Sequence, residues 1–206
     1  MQHTTARKRP RHTVGIDEAG RGPLAGPVAV GVVIFPPAFD WRLLRGLRDS
    51  KQLSAEMREV WYARLLVLER DHGVRFAVSF SSARTIDRRG IVRAVSGGIG
   101  RALVRLEAEP KRCEILLDGA LAAPPHFARQ RTIIRGDEKE KAIMLASVAA
   151  KVRRDRHMRR LAKRFPGYEL EVHKGYGTKA HRDALKRLGP CDIHRRTFLR
   201  SLSSWT

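Results

Sequence analysis

The chain has 206 residues, of which 42% are hydrophobic, so it is long enough for one domain with a sizeable buried core. Forty-two Lys and Arg against 21 Asp and Glu give a formal net charge of +21, which favours a polyanionic partner such as nucleic acid. No apolar run approaches the roughly 20 residues of a membrane helix, and the basic N-terminus lacks the apolar segment of a secretory signal.

Residues 1–12 are basic and are expected to form a disordered tail before a single domain that covers residues 13–206. The two cysteines are too few for a disulfide framework, and we expect a cytoplasmic protein. Cys113 opens a predicted apolar strand and is expected in the core. A genome-wide arginine bias could explain part of the net charge, so the charge supports a nucleic-acid partner without proving one.

Val-rich apolar runs at residues 14–16, 27–35 and 74–80 are typical of strands in a sheet with at least one covered face. Between the second and third strands, residues 54–71 carry apolar side chains at helical spacing behind a serine N-cap. Residues 85–106 predict a second helix. Three glycines weaken its middle, and we expect them to allow close packing against the sheet.

The rest of the chain predicts two more strands, at residues 114–117 and 132–134, separated by a loop at 120–130. Residues 138–165 predict the longest helix, which is apolar in its first half. Eight Lys or Arg lie within residues 151–164, and residues 153–164 are expected to form a solvated helix face. Strands and helices around one mixed sheet predict a three-layer α/β domain.

Acidic residues stand at the ends of three predicted strands. Asp17 and Glu18 follow the first strand, Asp118 ends the fourth, and Asp137 follows the fifth. Phosphodiester hydrolysis is served by two divalent cations about 4 Å apart, and carboxylate oxygens are ligands that suit Mg²⁺ and Mn²⁺. Each acid alone could equally cap a turn or helix, since a carboxylate is favoured at a helix start. The four together in a basic protein predict a metal site.

Asp17 and Glu18 are neighbours, and successive strand side chains point to opposite faces. Both can serve one site only if the strand ends or bends there; otherwise Glu18 would contribute its backbone carbonyl. We expect Asp17 to bridge both metals, with the division of the other acids left open. The histidines are too scattered in sequence to predict a zinc site: His173, His181 and His194.

Seven motifs occur in an order that resembles ribonuclease HII and spans nearly the whole chain. They are DEAGRGPLAGPVAV from Asp17, DSKQLS from Asp49, ILLDG from Ile115, RGD from Arg135, LASVAAKVRRD from Leu145, HKGYGTKAH from His173 and GP…HRRTF from Gly189. The resemblance implies a ribonuclease H-like three-layer fold, with a central mixed β-sheet flanked by helices. It also implies a C-terminal helical segment, from about residue 166, that contributes to substrate binding.

The resemblance implies an endoribonuclease that hydrolyses the RNA strand of RNA–DNA hybrids. It further implies incision on the 5′ side of single ribonucleotides in duplex DNA, two Mg²⁺ or Mn²⁺ ions, and 3′-hydroxyl and 5′-phosphate products. A monomer that binds nucleic acid and no membrane is expected. The family's catalytic, metal-binding acids match four positions of this chain: Asp17, Glu18, Asp118 and Asp137.

The family's substrate-reading positions are also present. The resemblance implies that the backbone of Gly20, Arg21 and Gly22 contacts a ribose 2′-hydroxyl and its adjacent phosphate, and glycines allow such close approach. Tyr176 matches the tyrosine that senses the ribose–deoxyribose junction, although it could also be an ordinary packed tyrosine. Its glycine neighbours place it on a loop with few contacts. The Lys and Arg side chains at the remaining matches could contact phosphates or be merely solvated. These matching positions are Asp49-Ser50-Lys51, Ser147, Lys151, Lys174, Arg195 and Arg196.

One position departs from the family pattern. Gly90 stands where the family usually has an asparagine that would touch the substrate backbone, and Arg88 or Arg89 could replace that contact. Two alternatives stay open. Ribonuclease HIII carries an additional N-terminal domain, whereas only 16 residues precede Asp17 here. A non-catalytic basic nucleic-acid-binding protein would not need the acidic strand ends.

Overall fold

Five strands form one mixed β-sheet in residues 11–200, the part of the chain that the computed structural model describes. They are β1 (His12–Ala19), β2 (Val28–Phe35), β3 (Arg75–Ser81), β4 (Cys113–Asp118) and β5 (Gln130–Ile133). The sheet order is β3-β2-β1-β4-β5, antiparallel from β3 to β1 and parallel from β1 to β5. The predicted mixed sheet is therefore confirmed.

The tail predicted at residues 1–12 lies mostly outside the described residues, as do residues 201–206 at the end of the predicted domain. His12, the last residue of that predicted tail, pairs with Cys113 in the sheet. The sheet therefore begins one residue before the predicted boundary. Cys113 is buried in the core, as predicted.

Eight α-helices and two short 3₁₀ turns accompany the sheet within residues 11–200. The 3₁₀ turns are Trp41–Leu44 and Pro110–Arg112. The helices are α1 (Ala55–Asp71), α2 (Ala83–Arg89), α3 (Ile91–Arg105), α4 (Gly136–Lys139), α5 (Lys141–Arg164), α6 (Leu170–His173), α7 (Lys179–Leu188) and α8 (Arg196–Arg200). The predicted N-cap of α1 is confirmed, because the Ser54 hydroxyl oxygen accepts the Met57 amide at 3.2 Å.

The single helix predicted at residues 85–106 is wrong, because Gly90 divides it into α2 and α3. Gly90 has φ +77° and ψ 157°, a conformation that ends one helix and that a side chain would strain. The later glycines stay inside α3. One of them, Gly98, allows the expected close packing, since a Cβ there would lie 2.8 Å from a methyl carbon of Val30 on the sheet.

The helix predicted at residues 138–165 is also divided. Glu140 has an extended backbone, φ −113° and ψ 115°, which ends α4 and precedes α5. Asp137 therefore lies on a separate helical turn between β5 and α5. This short turn can place Asp137 independently of the long helix.

α5 packs directly on the centre of the sheet. A Cβ at Gly15 would lie 2.0 Å from the Ala142 carbonyl oxygen, and one at Gly31 would lie 2.3 Å from that of Ala146. Two positions without side chains therefore let the helix backbone approach β1 and β2. α1 joins α5 on this face, and α3 covers the opposite face, which gives the expected three layers. No helix among the described residues has the length and apolarity needed to cross a membrane.

A third apolar cluster joins the C-terminal helices to the loop after β1. Leu24 and Ala25 of that loop pack with Met158 of α5 and with Leu170 of α6 and Leu185 of α7. A side chain buried in this way stabilises a fold by about 1.5–3 kcal/mol. The C-terminal segment is therefore held against the part of the chain that follows the first two acids.

Candidate active site

The acids meet where the sheet opens between β1 and β4. The parallel pairing of these strands ends at Ile16 and Leu117, whereas the antiparallel pairing of β1 with β2 continues to Ala19. Asp17 and Asp118 each follow the last parallel pair directly. One edge of β1 is therefore free at the two acids. Both acids line one cavity, although β1 itself continues past them to Ala19.

Asp17, Glu18 and Asp118 line a cavity of about 260 Å³, together with most of the other predicted site residues. Asp137, Lys174, Arg195 and Arg196 are predicted site residues that do not line it. Its wall is formed by Asp17, Glu18, Ala19, Gly20, Arg21, Gly22, Ser50, Lys51, Asp118, Ser147, Lys151 and Tyr176.

Asp17 is the most deeply placed acid in this wall, with 5% of its surface exposed. Burial raises the pKa of its carboxyl well above the ordinary value, and the charges of Glu18 and Asp118 act in the same direction. Hydrogen bonds from Ser147 and from the Glu18 amide, at 2.7 Å, oppose this rise in pKa. The hydroxyl oxygens of Ser50 and Ser147 are 2.8 Å apart, so Ser50 extends the network.

Ser50 was not among the predicted contacts. Its place in the Asp49-Ser50-Lys51 motif was the signal that could have identified it.

Glu18 is held by its own turn. Burial raises the pKa of its carboxyl, whereas the Arg21 guanidinium, 3.2 Å away, lowers it. Arg21 remains substantially exposed, so this pair can separate without exposing an apolar surface. Whether Glu18 would bind a metal by its side chain or its backbone stays a prediction.

Asp118 and Asp137 are joined through the start of α4. One carboxylate oxygen of Asp118 accepts the amides of Gly136 at 2.7 Å and Asp137 at 3.3 Å. The capping role considered for Asp118 is therefore real, and it leaves the second oxygen for other partners. Asp137 is 2% exposed, and its Oδ2 accepts the Lys51 ammonium at 2.6 Å. This bond raises the pKa of Lys51.

The oxygen-rich cavity fits a hard divalent cation by its chemistry. Within residues 11–200, no three His, Cys, Asp or Glu side chains converge closely enough to hold an ion as they stand. Asp17, Glu18 and Asp118 nevertheless line one cavity and offer oxygen ligands alone. Burial, and to a smaller extent the charges of Glu18 and Asp118, raise the pKa of Asp17, and a bound cation would stabilise its charged form.

Arg195 does not reach the cavity, and the prediction that it contacts a phosphate is wrong. Its side chain is fully buried. The guanidinium donates to the carbonyl oxygens of Gly20 at 2.6 Å, Arg21 at 2.7 Å and Gly26 at 3.0 Å. Because these bonds use all three nitrogens, Arg195 supports the glycine turn from behind.

Arg154 is a candidate functional residue that was not predicted from the sequence, because it stands in a row of basic residues in α5. It is fully buried and donates to the carbonyl oxygens of Pro27 at 2.9 Å and Lys174 at 3.1 Å. A Cβ at Gly20 would lie 1.8 Å from its Nε, so the turn rests directly on this side chain. The solvated face expected for residues 153–164 is therefore wrong at Arg154.

Lys151 lines the cavity of the acids, whereas five other basic residues of this helix half face outward. They surround an open cavity of about 540 Å³ on the outer side of α5, away from the acids. Its lining is Arg153, Arg156, Arg159, Arg160 and Lys163.

Tyr176 lies on the loop between α6 and α7, as expected, and is 43% exposed. The centre of the Arg154 guanidinium is 5.7 Å from the centroid of its ring. Lys151 lines the cavity and pairs with Asp155 at 2.8 Å. Lys174 donates to the Glu171 carbonyl, and burial lowers the pKa of its ammonium.

Arg196 is exposed and anchors the C-terminal helix. Its amide donates to Asp87 at 2.9 Å, and its guanidinium donates to the Pro190 carbonyl at 3.1 Å. Asp87 also accepts the Thr197 hydroxyl at 2.6 Å. Asp87, three residues before Gly90, therefore links α2 to α8. Arg88, one of the two residues that could replace the missing asparagine contact, is exposed.

Histidines connect the C-terminal segment to the Tyr176 loop. His194 Nδ1 accepts the Cys191 amide at 3.0 Å, and its Nε2 lies 3.1 Å from Nε2 of His181. His181 Nδ1 in turn lies 2.9 Å from the Tyr176 carbonyl oxygen. Burial lowers the pKa of both histidines, that of His194 to about 4. The histidines thus meet in space, and they do so as a neutral hydrogen-bonded chain.

The ribonuclease HII family model matches residues 14–201. The ribonuclease HII of Syntrophotalea carbinolica is 45% identical over 198 residues, covering 96% of this chain and 90% of that protein. The PCNA:RNase HII complex from Archaeoglobus fulgidus matches with TM-score 0.75 and 25% identity, over 94% of this chain and 96% of that one. Bst-RNase HIII in complex with Mn²⁺ matches with TM-score 0.68 and 17% identity, over 97% of this chain and 72% of that one. The ribonuclease H-like fold is confirmed.

Proposed function

Because the chain belongs to the ribonuclease HII family, we propose that it hydrolyses the RNA strand of RNA–DNA hybrids and also cuts 5′ of single ribonucleotides in duplex DNA. The observation that carries this proposal is one cavity lined by three of the four strand-end acids, Asp17, Glu18 and Asp118, and by the Gly20–Gly22 turn. Groups that could detect a ribose therefore lie beside groups that could support hydrolysis.

Asp17, Glu18 and Asp118 would hold the divalent cations, with Asp137 joining once its bond to Lys51 is exchanged. When bound, Mg²⁺ or Mn²⁺ supplies an activated water and stabilises the attacking and leaving oxygens. The Mn²⁺ complex of the distant ribonuclease HIII supports a divalent cation here. Ser147 orients Asp17, and Asp118 is oriented by the amides at the start of α4.

The side chains around the acids would position the substrate strand. Lys151 and Lys51 place ammonium groups in the cavity wall, where a phosphate can meet them. The turn beside Asp17 offers backbone groups to a 2′-hydroxyl, which both donates and accepts hydrogen bonds. Tyr176 also lines the cavity, where its half-exposed ring could pack against the sugar that follows the ribose.

The two rival functions have less support. A non-catalytic nucleic-acid-binding protein gives no reason for a buried Asp17 next to Glu18 and Asp118. A ribonuclease HIII is disfavoured because the ribonuclease HII family model matches residues 14–201 and a ribonuclease HII is 45% identical, whereas Bst-RNase HIII is 17% identical. A monomeric, cytoplasmic protein remains our prediction.

One assay tests the proposal, using three duplexes of one sequence: all DNA, one embedded ribonucleotide, and one full RNA strand. With Mg²⁺ or Mn²⁺ titrated, we expect cleavage of the last two with 3′-hydroxyl and 5′-phosphate ends. Cleavage of the all-DNA duplex should be slower by about 10⁴-fold, as for sites whose buried polar groups lose a partner. If the full hybrid were cut while the single-ribonucleotide duplex stayed intact, the proposed recognition of the ribose–deoxyribose junction would be wrong. Binding without cleavage under every metal condition would favour the non-catalytic alternative.

A further inference from the structure

Two buried guanidiniums lie behind the Gly20–Gly22 turn. Arg195 and Arg154 are both fully buried, and every bond given above for them ends on a backbone carbonyl. The Nη1 atom of Arg154 is buried and has no hydrogen-bond partner among the described residues. Burying a charged group costs free energy unless hydrogen bonds or an opposite charge compensate it. Both guanidiniums contact the Gly20–Gly22 turn, so the turn is the structure that they stabilise.

The carbonyls that Arg195 binds determine where two amides point. The Gly20 carbonyl shares its peptide plane with the Arg21 amide, and the Arg21 carbonyl shares its plane with the Gly22 amide. In a trans peptide the C=O and N–H bonds point in opposite directions. Since both carbonyls point inward to Arg195, at 2.6 Å and 2.7 Å, both amides point away from it.

These two amides are available to a ligand. Neither has an acceptor among residues 11–200, and both Arg21 and Gly22 line the cavity with Asp17. A Cβ at Gly22 would meet no atom within 4 Å, so the space in front of the turn is open. Two amides aimed in one direction form a site for an anionic or hydroxyl oxygen.

Arg154 supports the same turn from a second position. It lies directly against Gly20 and donates to the carbonyls of Pro27, just before β2, and of Lys174, two residues before Tyr176. It therefore links the position of the turn to the loop that carries Tyr176. Both guanidiniums also place positive charge behind the amides, which favours an anion in front of them.

We propose that Arg195 is a positioning residue that aims the Arg21 and Gly22 amides at the 2′-hydroxyl and neighbouring phosphate of a ribonucleotide, with Arg154 supporting the same turn. This inference rests on the proposed function, because it assigns a cause to the ribose recognition proposed there. Arg195 touches neither substrate nor metal, and it acts through the peptide planes that it holds.

The test measures ribose discrimination separately from cleavage. In an Asp17→Asn background, the affinity for a duplex with one ribonucleotide is compared with that for the all-DNA duplex. Arg195→Met should reduce this affinity ratio by about tenfold, the effect of misplacing one or two hydrogen bonds. In the cleaving enzyme the same change should raise KM more than it lowers kcat. Arg75→Met is the control, because Arg75 also donates to a carbonyl, that of Leu106, at the other end of the sheet.

A second measurement reads the amides directly. In ¹⁵N-labelled Asp17→Asn protein, the Arg21 and Gly22 amide signals should shift when the single-ribonucleotide duplex is added, and Arg195→Met should abolish these shifts. A folded Arg195→Met protein with an unchanged affinity ratio and unchanged amide shifts would overturn the inference. If that variant does not fold, Arg195→Lys decides. A single ammonium cannot hold all three carbonyls, so a reduced ratio supports the inference and an unchanged ratio overturns it.

Failure of the proposed function would look different. The wild-type protein would then bind the single-ribonucleotide and all-DNA duplexes equally, or would leave both ribonucleotide-containing duplexes intact. Failure of the further inference leaves wild-type discrimination in place and shows only that Arg195 does not cause it.

Discussion

His194 Nε2 donates a hydrogen bond to His181 Nε2 across 3.1 Å, and the backbone fixes this direction. His194 Nδ1 accepts the Cys191 amide, so its proton must reside on Nε2. His181 then carries its proton on Nδ1 and donates to the Tyr176 carbonyl. Both rings are neutral, and together they tie the last part of the chain to the loop that bears Tyr176.

Acid should therefore destabilise the fold through this pair. The folded pKa of His194 is about 4, below the ordinary value of 6.5, so the unfolded chain binds more protons between these values. Stability is full above pH 6.5 and falls as pH decreases toward 4, by up to about 1.4 kcal/mol per pH unit. Urea unfolding at pH 7.5, 6 and 5 measures this slope. His194→Gln should flatten it and the exposed His126→Gln should not; equal slopes in all three proteins would contradict the assignment.

Asp17→Asn should abolish cleavage while sparing binding to a hybrid. The substitution removes the buried charge that would hold the cation and keeps the size of the side chain. Wild-type protein should also gain about 2.7 kcal/mol of stability at a hundredfold excess of cation over Kd. Thermal unfolding with and without Mg²⁺ or Mn²⁺ checks this gain, which Asp17→Asn should lose. The exposed Asp71→Asn is the control, and normal turnover by Asp17→Asn would end the catalytic assignment.

Lys151 should contribute one phosphate contact. If its ammonium leaves Asp155 for the substrate, Lys151→Met should reduce the slope of log affinity against log salt by roughly one unit. Lys174 is expected to behave in the same way, although it faces its own turn in the free protein. Lys111, near the start of β4, provides a control. Slopes that match wild type in both variants would identify Lys151 and Lys174 as solvated charges.

Tyr176→Ala should reduce cleavage of the single-ribonucleotide duplex more than cleavage of a continuous hybrid. The ring is half exposed at the cavity wall, so its loss would remove the proposed contact to the sugar and little of the core. Rates on the two duplexes, compared with those of Tyr176→Phe, separate the ring from its hydroxyl. Equal losses on both duplexes would make Tyr176 a general binding residue.

Gly15→Ala should destabilise the protein and impair its activity together. The added Cβ would meet the Ala142 carbonyl at 2.0 Å and push α5 away from β1. Overpacking of this kind costs about 1–3 kcal/mol. The same movement would displace Ser147 from Asp17. Denaturant unfolding and cleavage rates check both effects, with Gly46→Ala as a control in open space, where only backbone strain applies. An unchanged rate would show that the helix adjusts without moving Ser147.

Local patterns were sufficient to predict the strands and the acids, because alternation and strand-end position are properties of a few consecutive residues. Asp17 and Asp118 needed only the ends of two apolar runs to be located. The division at Gly90 was missed because the apolar spacing continues across it, and only its φ of +77° reveals the break. A backbone angle has no direct signature in residue spacing.

The support behind the turn was missed for a different reason. Arg195 and Gly20 are 175 residues apart in sequence, and Arg154 and Pro27 are 127 apart. A buried arginine in a row of exposed arginines looks like its neighbours until the tertiary contacts are known. The same holds for Asp87, whose partners Arg196 and Thr197 lie at the far end of the chain.

The pairing of β1 with β4 ends before its pairing with β2, and the connectivity of the strands explains what lies beyond that end. After β1 the chain turns to β2 on one side, and after β4 it continues to β5 on the other. Connections that leave neighbouring strands in opposite directions create a crevice at their carboxyl ends, where α/β sheets characteristically bind ligands. The location of the cavity therefore follows from the order in which the strands are connected. The acids determine what chemistry can occur there, but the connectivity would leave a crevice at that place whichever residues lined it.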